Sequence, residues 1–358
     1  MAKLTSVFIC SKCDSQFPKW SGRCSECGAW GTITEQLQTP KEREKGPAPS
    51  ALPLIDLSLT EKKAEARLST GLDEVDRVLG GGLISDSFVL LAGEPGIGKS
   101  TLVAQLSGNL AKKHQVMYVS GEESGSQIKD RLERLNIDPK SIGFLNETNV
   151  EKIIATAESA KPTLVIVDSI QTVYSFILPS EAGSISQIRA CAVKFMELAK
   201  QKRIAVILIG HITKDGTVAG PKSLEHIVDT VLYLEQETRH DLRLLRASKN
   251  RFGSVNELGV FSMGAQGFVE VKNPSGIFLD TDNERLPGTV VSCILEGNRP
   301  FLVEVQALVT KTVFGYPQRK ASGFDLNRLQ VLTAVLTKRA NMNLGAQDII
   351  INVVGGFK

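Results

Sequence analysis

Five runs, "SFVLLAG", "QVMYVSG", "TLVIVDS", "IAVILIG" and "DTVLYLE", are apolar almost throughout and predict strands buried on both faces. Between the first four lie "STLVAQLSGNLAKK", "SQIKDRLERL", "NVEKIIATAESA" and "SQIRACAVKFMELAKQK", whose apolar residues recur at helical spacing. This alternation predicts an α/β fold with a largely parallel sheet covered on both sides. Upstream, Leu72, Val75 and Leu79 predict a helix that Gly80–Gly82 stop. Downstream, "HDLRLLRAS" and "VNELGVFSM" alternate as strands do and flank "KNRFG", so a hairpin should extend the sheet at its end. Lys249 and Arg251 on that turn read either as a polar tip or as cations reaching for phosphate.

Outside this region the texture differs. Residues 1–30 are dense in Cys, Gly and Trp and too poor in aliphatics for a core of their own. Residues 31–58 contain "QLQTPKEREKGPAPSALP", charged and Pro-bearing, which reads as a linker. Residues 59–272 hold the β–α alternation. In 273–358, "GTVVSCILEGNRPFLVEVQALV" reads as a strand pair around a Gly-Asn turn, "DLNRLQVLTAVLTKRA" as an amphipathic helix and "DIIINVVGG" as a buried strand. A unit closing on such a strand reads as incomplete, with apolar strand faces exposed.

Composition changes this picture little. Hydrophobic residues make up 42% and charged residues 23% of the 358, the balance of an ordinary globular chain. The net charge of +3 suits a nucleic-acid binder or a metabolic enzyme equally, because local patches matter more. No apolar run approaches the roughly 20 residues of a membrane-spanning helix, and "VFI" is far too short for a secretory signal. Four of the six Cys lie in two close pairs, a metal-site usage that places the chain in a reducing cytoplasm.

The chemistry concentrates in "GEPGIGKST", Gly93, Glu94, Pro95, Gly96, Ile97, Gly98, Lys99, Ser100 and Thr101. It fits G-x-x-x-x-G-K-[ST] after a strand and before a helix. Backbone N–H groups would cradle phosphates, Lys99 would bridge the β- and γ-phosphates of ATP, and Ser100 would ligate Mg²⁺. Asp168, closing "TLVIVDS", is placed as the acid of the Mg²⁺ shell; alone it would read as a helix cap. Glu122 in "YVSGEES" is the candidate that orients the attacking water, with Glu123 as the fallback. His211 is a candidate γ-phosphate sensor or a structural histidine. Cys10, Cys13, Cys24 and Cys27 form two C-x-x-C knuckles able to close one tetrahedral site, best suited to Zn²⁺ with iron as the rival. Trp20 and Trp30 are placed to shield the sulfurs.

These parts, with "TGLDEVDRVLGGG", "VDSIQT", "GHITKDG", "AGPKSLEHIVDTVLY" and "KNRFG", closely resemble the bacterial RadA (Sms) family of DNA-repair proteins. "EGNRPFLVEVQALV" and "GFDLNRLQVLTAVLTKR" resemble that family's C-terminal Lon-protease-like domain. The resemblance covers essentially the whole chain. It implies a RecA-like P-loop ATPase core, a homo-hexameric ring around single-stranded and branched DNA, and branch migration alongside a RecA-type recombinase. ATP would lie between subunits, with Lys249 and Arg251 completing a neighbour's site. DNA would meet the loops "ILPSEAGSIS" and "TKDGTVAGPK", Lys214 and Lys222 touching phosphates. Two features depart from the family. "SDS" at 85–87 replaces its usual Pro-Gly turn, and family members continue past Gly356.

Three rivals remain. A Lon-type protease needs a Ser–Lys dyad in a "DGPSA"-like context, which is missing from this sequence. A non-motor signalling ring and a DNA-binding scaffold with a gating ATPase are compatible with the same motifs.

Overall fold

A computed structural model describes residues 5–11, 16–17, 19–24, 28–38, 67–211, 224–237, 241–273, 279 and 287–353. At the N-terminal end, β1 (Thr5–Cys10), β2 (Gln16–Phe17) and β3 (Ile33–Gln38) form an antiparallel sheet in the order β2-β1-β3. β4 (Arg67–Leu68) pairs with β5 (Leu83–Ile84), and α1 (Asp73–Leu79) lies between them in sequence. Gly80, at φ 85°, ends α1 as the glycine run predicts. The "SDS" segment still turns the chain, since the backbone N–H and hydroxyl of Ser87 both donate to the Ile84 carbonyl at 3.0 and 2.7 Å.

The β–α alternation then unrolls as β6 (Phe88–Gly93), α2 (Lys99–Ala111), β7 (Val116–Ser120), α3 (Gly125–Arg134), β8 (Ile142–Leu145), α4 (Val150–Ala160), β9 (Leu164–Asp168), α5 (Ile185–Lys202), β10 (Ala205–His211) and β11 (Thr230–Glu237). β12 (Leu242–Asn250), β13 (Leu258–Gly264) and β14 (Gly267–Glu270) follow. All nine strands form one sheet, ordered β14-β13-β12-β11-β6-β10-β9-β7-β8. The six from β11 to β8 in that order run parallel, and the last three extend the β11 edge antiparallel.

Every residue of β6, β7 and β9 is buried, because helices cover both faces. Val89, Leu91, Tyr118 and Ile166 face a core with Val75, Leu102, Leu106 and Ile128 from α1, α2 and α3. Phe88, Leu90, Val165 and Val167 face a second core with Ile153 of α4 and Cys191 and Phe195 of α5. Burial pushes the Cys191 thiol up to about 12, so it acts as a small apolar side chain there. The crossing of β6 to β7 over β10 and β9 leaves a crevice at the carboxyl ends of the strands, where open α/β sheets bind ligands.

β15 (Thr289–Glu296), β16 (Arg299–Lys311), β17 (Arg319–Ser322) and β18 (Gln347–Val353) make a separate sheet in the order β15-β16-β18-β17. The β15–β16 hairpin turns at Gly297 and Asn298, and β18 is an interior strand. α6 (Leu326–Arg339) packs on it through Leu329 against Ile349 and Leu344. Large apolar side chains stay exposed here, among them Leu295, Leu308 and Val331. Phe301 and Val303 share a core with Leu242, Leu244, Leu258 and Val260 of the nine-stranded sheet. Arg299 seals the same junction. Its guanidinium donates to the Glu74 carboxylate and, at 3.1 Å, to the Leu258 carbonyl.

Candidate nucleotide and metal sites

The loop from Gly93 to Gly98 connects a strand buried on all sides to α2, so its backbone is fixed at both ends. Gly96 and Gly98 take φ of 79° and 109°, a left-handed conformation that L side chains rarely adopt. A Cβ on Gly98 would stand 2.9 Å from the Phe268 ring, whereas one on Gly96 would meet nothing within 4 Å. The loop is thus packed from below and open above Gly96. Lys99 is 3% exposed, and its ammonium donates to the Gly93 and Glu94 carbonyls at 2.9 and 2.8 Å. Burial lowers its pKa, while Asp168 and Glu122 oppose that shift.

Asp168 closes β9, two strands from β6 across β10. Burial raises its carboxyl above the ordinary range, against hydrogen bonds from the hydroxyls of Tyr118 and Ser100. One buried carboxylate beside a hydroxyl at a helix N-terminus is the sparse oxygen set that Mg²⁺ takes when phosphates and water complete its shell. The residues present therefore fit Mg²⁺, with Ser100 and Asp168 as the protein's side of it.

Glu122 and Glu123 follow β7, and the structure gives them different company. Glu123 is forked to Arg131 of α3, with one contact at 2.6 Å. Glu122 accepts from the Ser169 hydroxyl and stands 3.8 Å from His211 Nε2. The nearby His211 imidazole lowers the Glu122 pKa, burial opposes it, and the Ser169 bond adds to the lowering. Among the described residues, His211 Nδ1 and Gln171 Oε1 are buried and find no hydrogen-bond partner. Lys99, Asp168, Glu122 and His211 thus share the carboxyl end of the sheet, with Gln171 in the 3₁₀ turn after β9.

"KNRFG" lies elsewhere, and its geometry departs from a free hairpin tip. Lys249 and Asn250 still belong to β12 and pair with Val231 and Thr230, and Thr230 pairs with Val89 near the start of β6. The segment is braced because Asn250 donates to the Val78 and Leu79 carbonyls at the end of α1, at 3.3 and 3.4 Å. Lys249 donates to the Glu225 and Val228 carbonyls at 2.6 and 2.7 Å, and burial lowers its pKa. Arg251 is 56% exposed and reaches Asp229 at 3.1 Å, while Lys200 holds the other oxygen of that buried carboxylate at 2.8 Å. Sequence reasoning gave no role to Asp229, Lys200, Tyr118 or Ser169: Ser169 and Asp229 lie inside "VDSIQT" and "AGPKSLEHIVDTVLY" beside more telling residues, and Tyr118 and Lys200 read as ordinary strand and helix filling.

In the N-terminal sheet Cys10 and Cys24 are fully buried against Ile33, so two of the four thiols converge on one small core. Cys13 and Cys27 lie outside the described residues. Thiols converging in a three-stranded knuckle fit Zn²⁺. Trp20 and Trp30, expected to shield the sulfurs, are both mostly exposed rather than part of the core around Cys10 and Cys24, and Arg23 stacks on Trp30 at 5.9 Å. Of the two loops placed against DNA, the first is described and carries exposed Ile177 after exposed Phe176. Lys214 and Lys222, in the second, lie outside the described residues. Among those described, no helix is long and apolar enough to cross a membrane.

Two family models match the chain, an AAA domain over residues 57–217 and a rubredoxin metal binding domain over 8–35. The DNA repair protein RadA of Bacillus subtilis is 46% identical over 364 residues, covering all of this chain and 80% of that protein. RadA of Pseudomonas aeruginosa is 46% identical over 361 residues with the same coverage, and that of Listeria monocytogenes 44% over 363. The chain belongs to the RadA family of DNA repair proteins. In this chain a RecA-like P-loop fold follows an N-terminal zinc ribbon. A KaiC-like protein of Pyrococcus horikoshii is similar over 57% of this chain, at 21% identity and a TM-score of 0.49. Membership in the RadA family supports an ATP-hydrolysing enzyme of DNA repair.

Proposed function

We propose that this RadA-family chain is a DNA-dependent ATPase that drives branch migration on recombination intermediates, working as a homo-hexameric ring in the cytoplasm with a RecA-type recombinase. One observation carries the reading. The P-loop and the "KNRFG" segment stand at opposite ends of one sheet. Asn250 is level with Val89, four rungs and about 13 Å below Gly93 at roughly 3.3 Å per residue. Arg251 lies beyond it, a placement far from its own P-loop that supports a role toward a neighbouring chain's nucleotide.

In this reading Lys99 and the loop amides would hold the phosphates, and Ser100 and Asp168 would hold Mg²⁺, which would supply charge neutralisation for phosphoryl transfer. Glu122 orients the attacking water, and its company supports the role over Glu123, whose carboxylate is occupied by Arg131. Arg251 leaves Asp229 for the neighbour's γ-phosphate, and Lys200 remains to neutralise the buried acid. Lys249, already capped by two carbonyls, shapes the segment as well as adding charge. The loop 177–186 and Lys214 and Lys222 are assigned to DNA contact, and the 273–358 region is read as a Lon-like unit.

The test is ATP turnover without DNA, with single-stranded DNA and with a branched substrate. Stimulation by DNA, strand exchange on the branched substrate and loss of both in Lys99→Ala are expected. Turnover indifferent to DNA would favour a non-motor ring, and branch binding without movement a scaffold.

A further inference from the structure

Tyr118 sits in the middle of the sheet, 1% exposed, in an apolar core beside Val116, Leu164, Ile166 and Ile207. In the parallel ladder Tyr118 pairs with Ile166 and Ser120 with Asp168, so the phenol and the carboxylate share one face, two residues apart along it. A tyrosine is long enough to span that diagonal. Its hydroxyl donates to Asp168 Oδ2 at 2.7 Å. A buried phenol always needs a partner, and any carbonyl would serve that purpose. Here the partner is the acid at the nucleotide end of the sheet, itself 4% exposed. The torsion that turns a carboxylate is broad and soft, so packing alone leaves its oxygens poorly aimed. Removing the phenolic donor would also leave a buried charged oxygen without its bond.

We propose that Tyr118 is a positioning residue, whose hydroxyl fixes the Asp168 carboxylate in the orientation that receives Mg²⁺ with the nucleotide. The inference rests on the reading of Ser100 and Asp168 as the protein's side of a Mg²⁺–ATP site. It assigns to a core tyrosine a part in metal affinity, separate from phosphate binding by Lys99 and the loop.

Tyr118→Phe keeps the ring and removes only the hydroxyl. Binding of a fluorescent ADP is measured in EDTA and then across a Mg²⁺ titration, beside ATP turnover on the same titration. Affinity in EDTA should stay within about twofold of the parent. The Mg²⁺ concentration for half-maximal effect should rise about tenfold, the scale of losing one hydrogen bond to a charged group, and excess Mg²⁺ should restore most of the turnover. In an Asp168→Asn background the same substitution should shift nothing further. A defect of packing would instead lower affinity in EDTA, or the melting temperature, with no rescue by Mg²⁺. Such a result overturns the inference, as does a chain too unstable to bind ADP. Lys99→Ala separates the two readings. If it hydrolyses ATP normally, the ATP-site reading fails. If it is inactive while Tyr118→Phe keeps the parent's Mg²⁺ dependence, only the role of Tyr118 fails.

Discussion

At the scale of single residues, the pair Glu122 and His211 makes a prediction about pH. The His211 imidazole, 3.8 Å away, is the largest influence on Glu122, and it depresses the carboxyl pKa. A depressed carboxylate stays ionised as pH falls, so a water-orienting Glu122 keeps working below the usual range for glutamate. Removing the imidazole takes that stabilisation away and raises the pKa. His211→Ala should therefore move the acid limb of the kcat profile to higher pH, with turnover near neutrality falling less than at pH 5. Profiles of the two chains, read with saturating ATP and Mg²⁺, check this. An unmoved acid limb would place the water-orienting role on another group. Neighbouring Glu123 makes a useful control, since its fork to Arg131 predicts a loss of α3 docking instead.

At the scale of elements, the P-loop strand and helix and the buried strands were legible because each is a local pattern, apolar runs for double-sided burial and glycines where φ turns positive. β8 was not legible. It is four residues long, and Gly143 and Phe144 are exposed on the sheet edge, so no apolar run marks it. "KNRFG" was legible as a motif but not as a shape, because the bonds from Asn250 to the end of α1 join residues some 170 positions apart. That shape sharpens the expectation for the segment. Arg251→Ala should fold and bind nucleotide through its own loop yet lose turnover. Mixed with Lys99→Ala chains it should regain partial activity, since some interfaces then pair an intact loop with an intact arginine. Rings confirmed by sizing as mixed but inactive would refute a shared site. The ribbon carries a separate expectation. Metal analysis should find one Zn²⁺ per chain, and a strong chelator should change the fluorescence of Trp20 and Trp30, the only two tryptophans, while the melting of the P-loop core stays put. Zinc-free protein or a visible iron band would overturn it.

At the scale of the whole molecule, the least legible feature is how the C-terminal sheet is held to the nine-stranded one. Glu74 reads in the sequence as a first-turn acid of α1, and Arg299 as a hairpin cation. The structure buries both, at 5% and 11% side-chain exposure, and pairs them. Glu74 also accepts from the Val260 N–H at 2.8 Å, and its own N–H donates to Glu270 at 2.6 Å, so one acid ties α1, β13, β14 and β16 together. A buried pair contributes little beyond a well-packed apolar substitute, but breaking it leaves one charge stranded. Arg299→Met should therefore destabilise the chain by up to about 3–5 kcal/mol, the usual scale for an orphaned buried charge, less what Arg77, 3.7 Å from the other Glu74 oxygen, still offsets. Adding Glu74→Gln removes that charge while an amide oxygen can still accept from Val260, so the double variant should recover much of the loss. Urea unfolding of the parent, both single variants and the double variant measures the coupling directly. Losses that simply add would mean that Glu74 and Arg299 serve their own elements separately, and that the apolar contacts of Phe301 and Val303 alone hold the two sheets together.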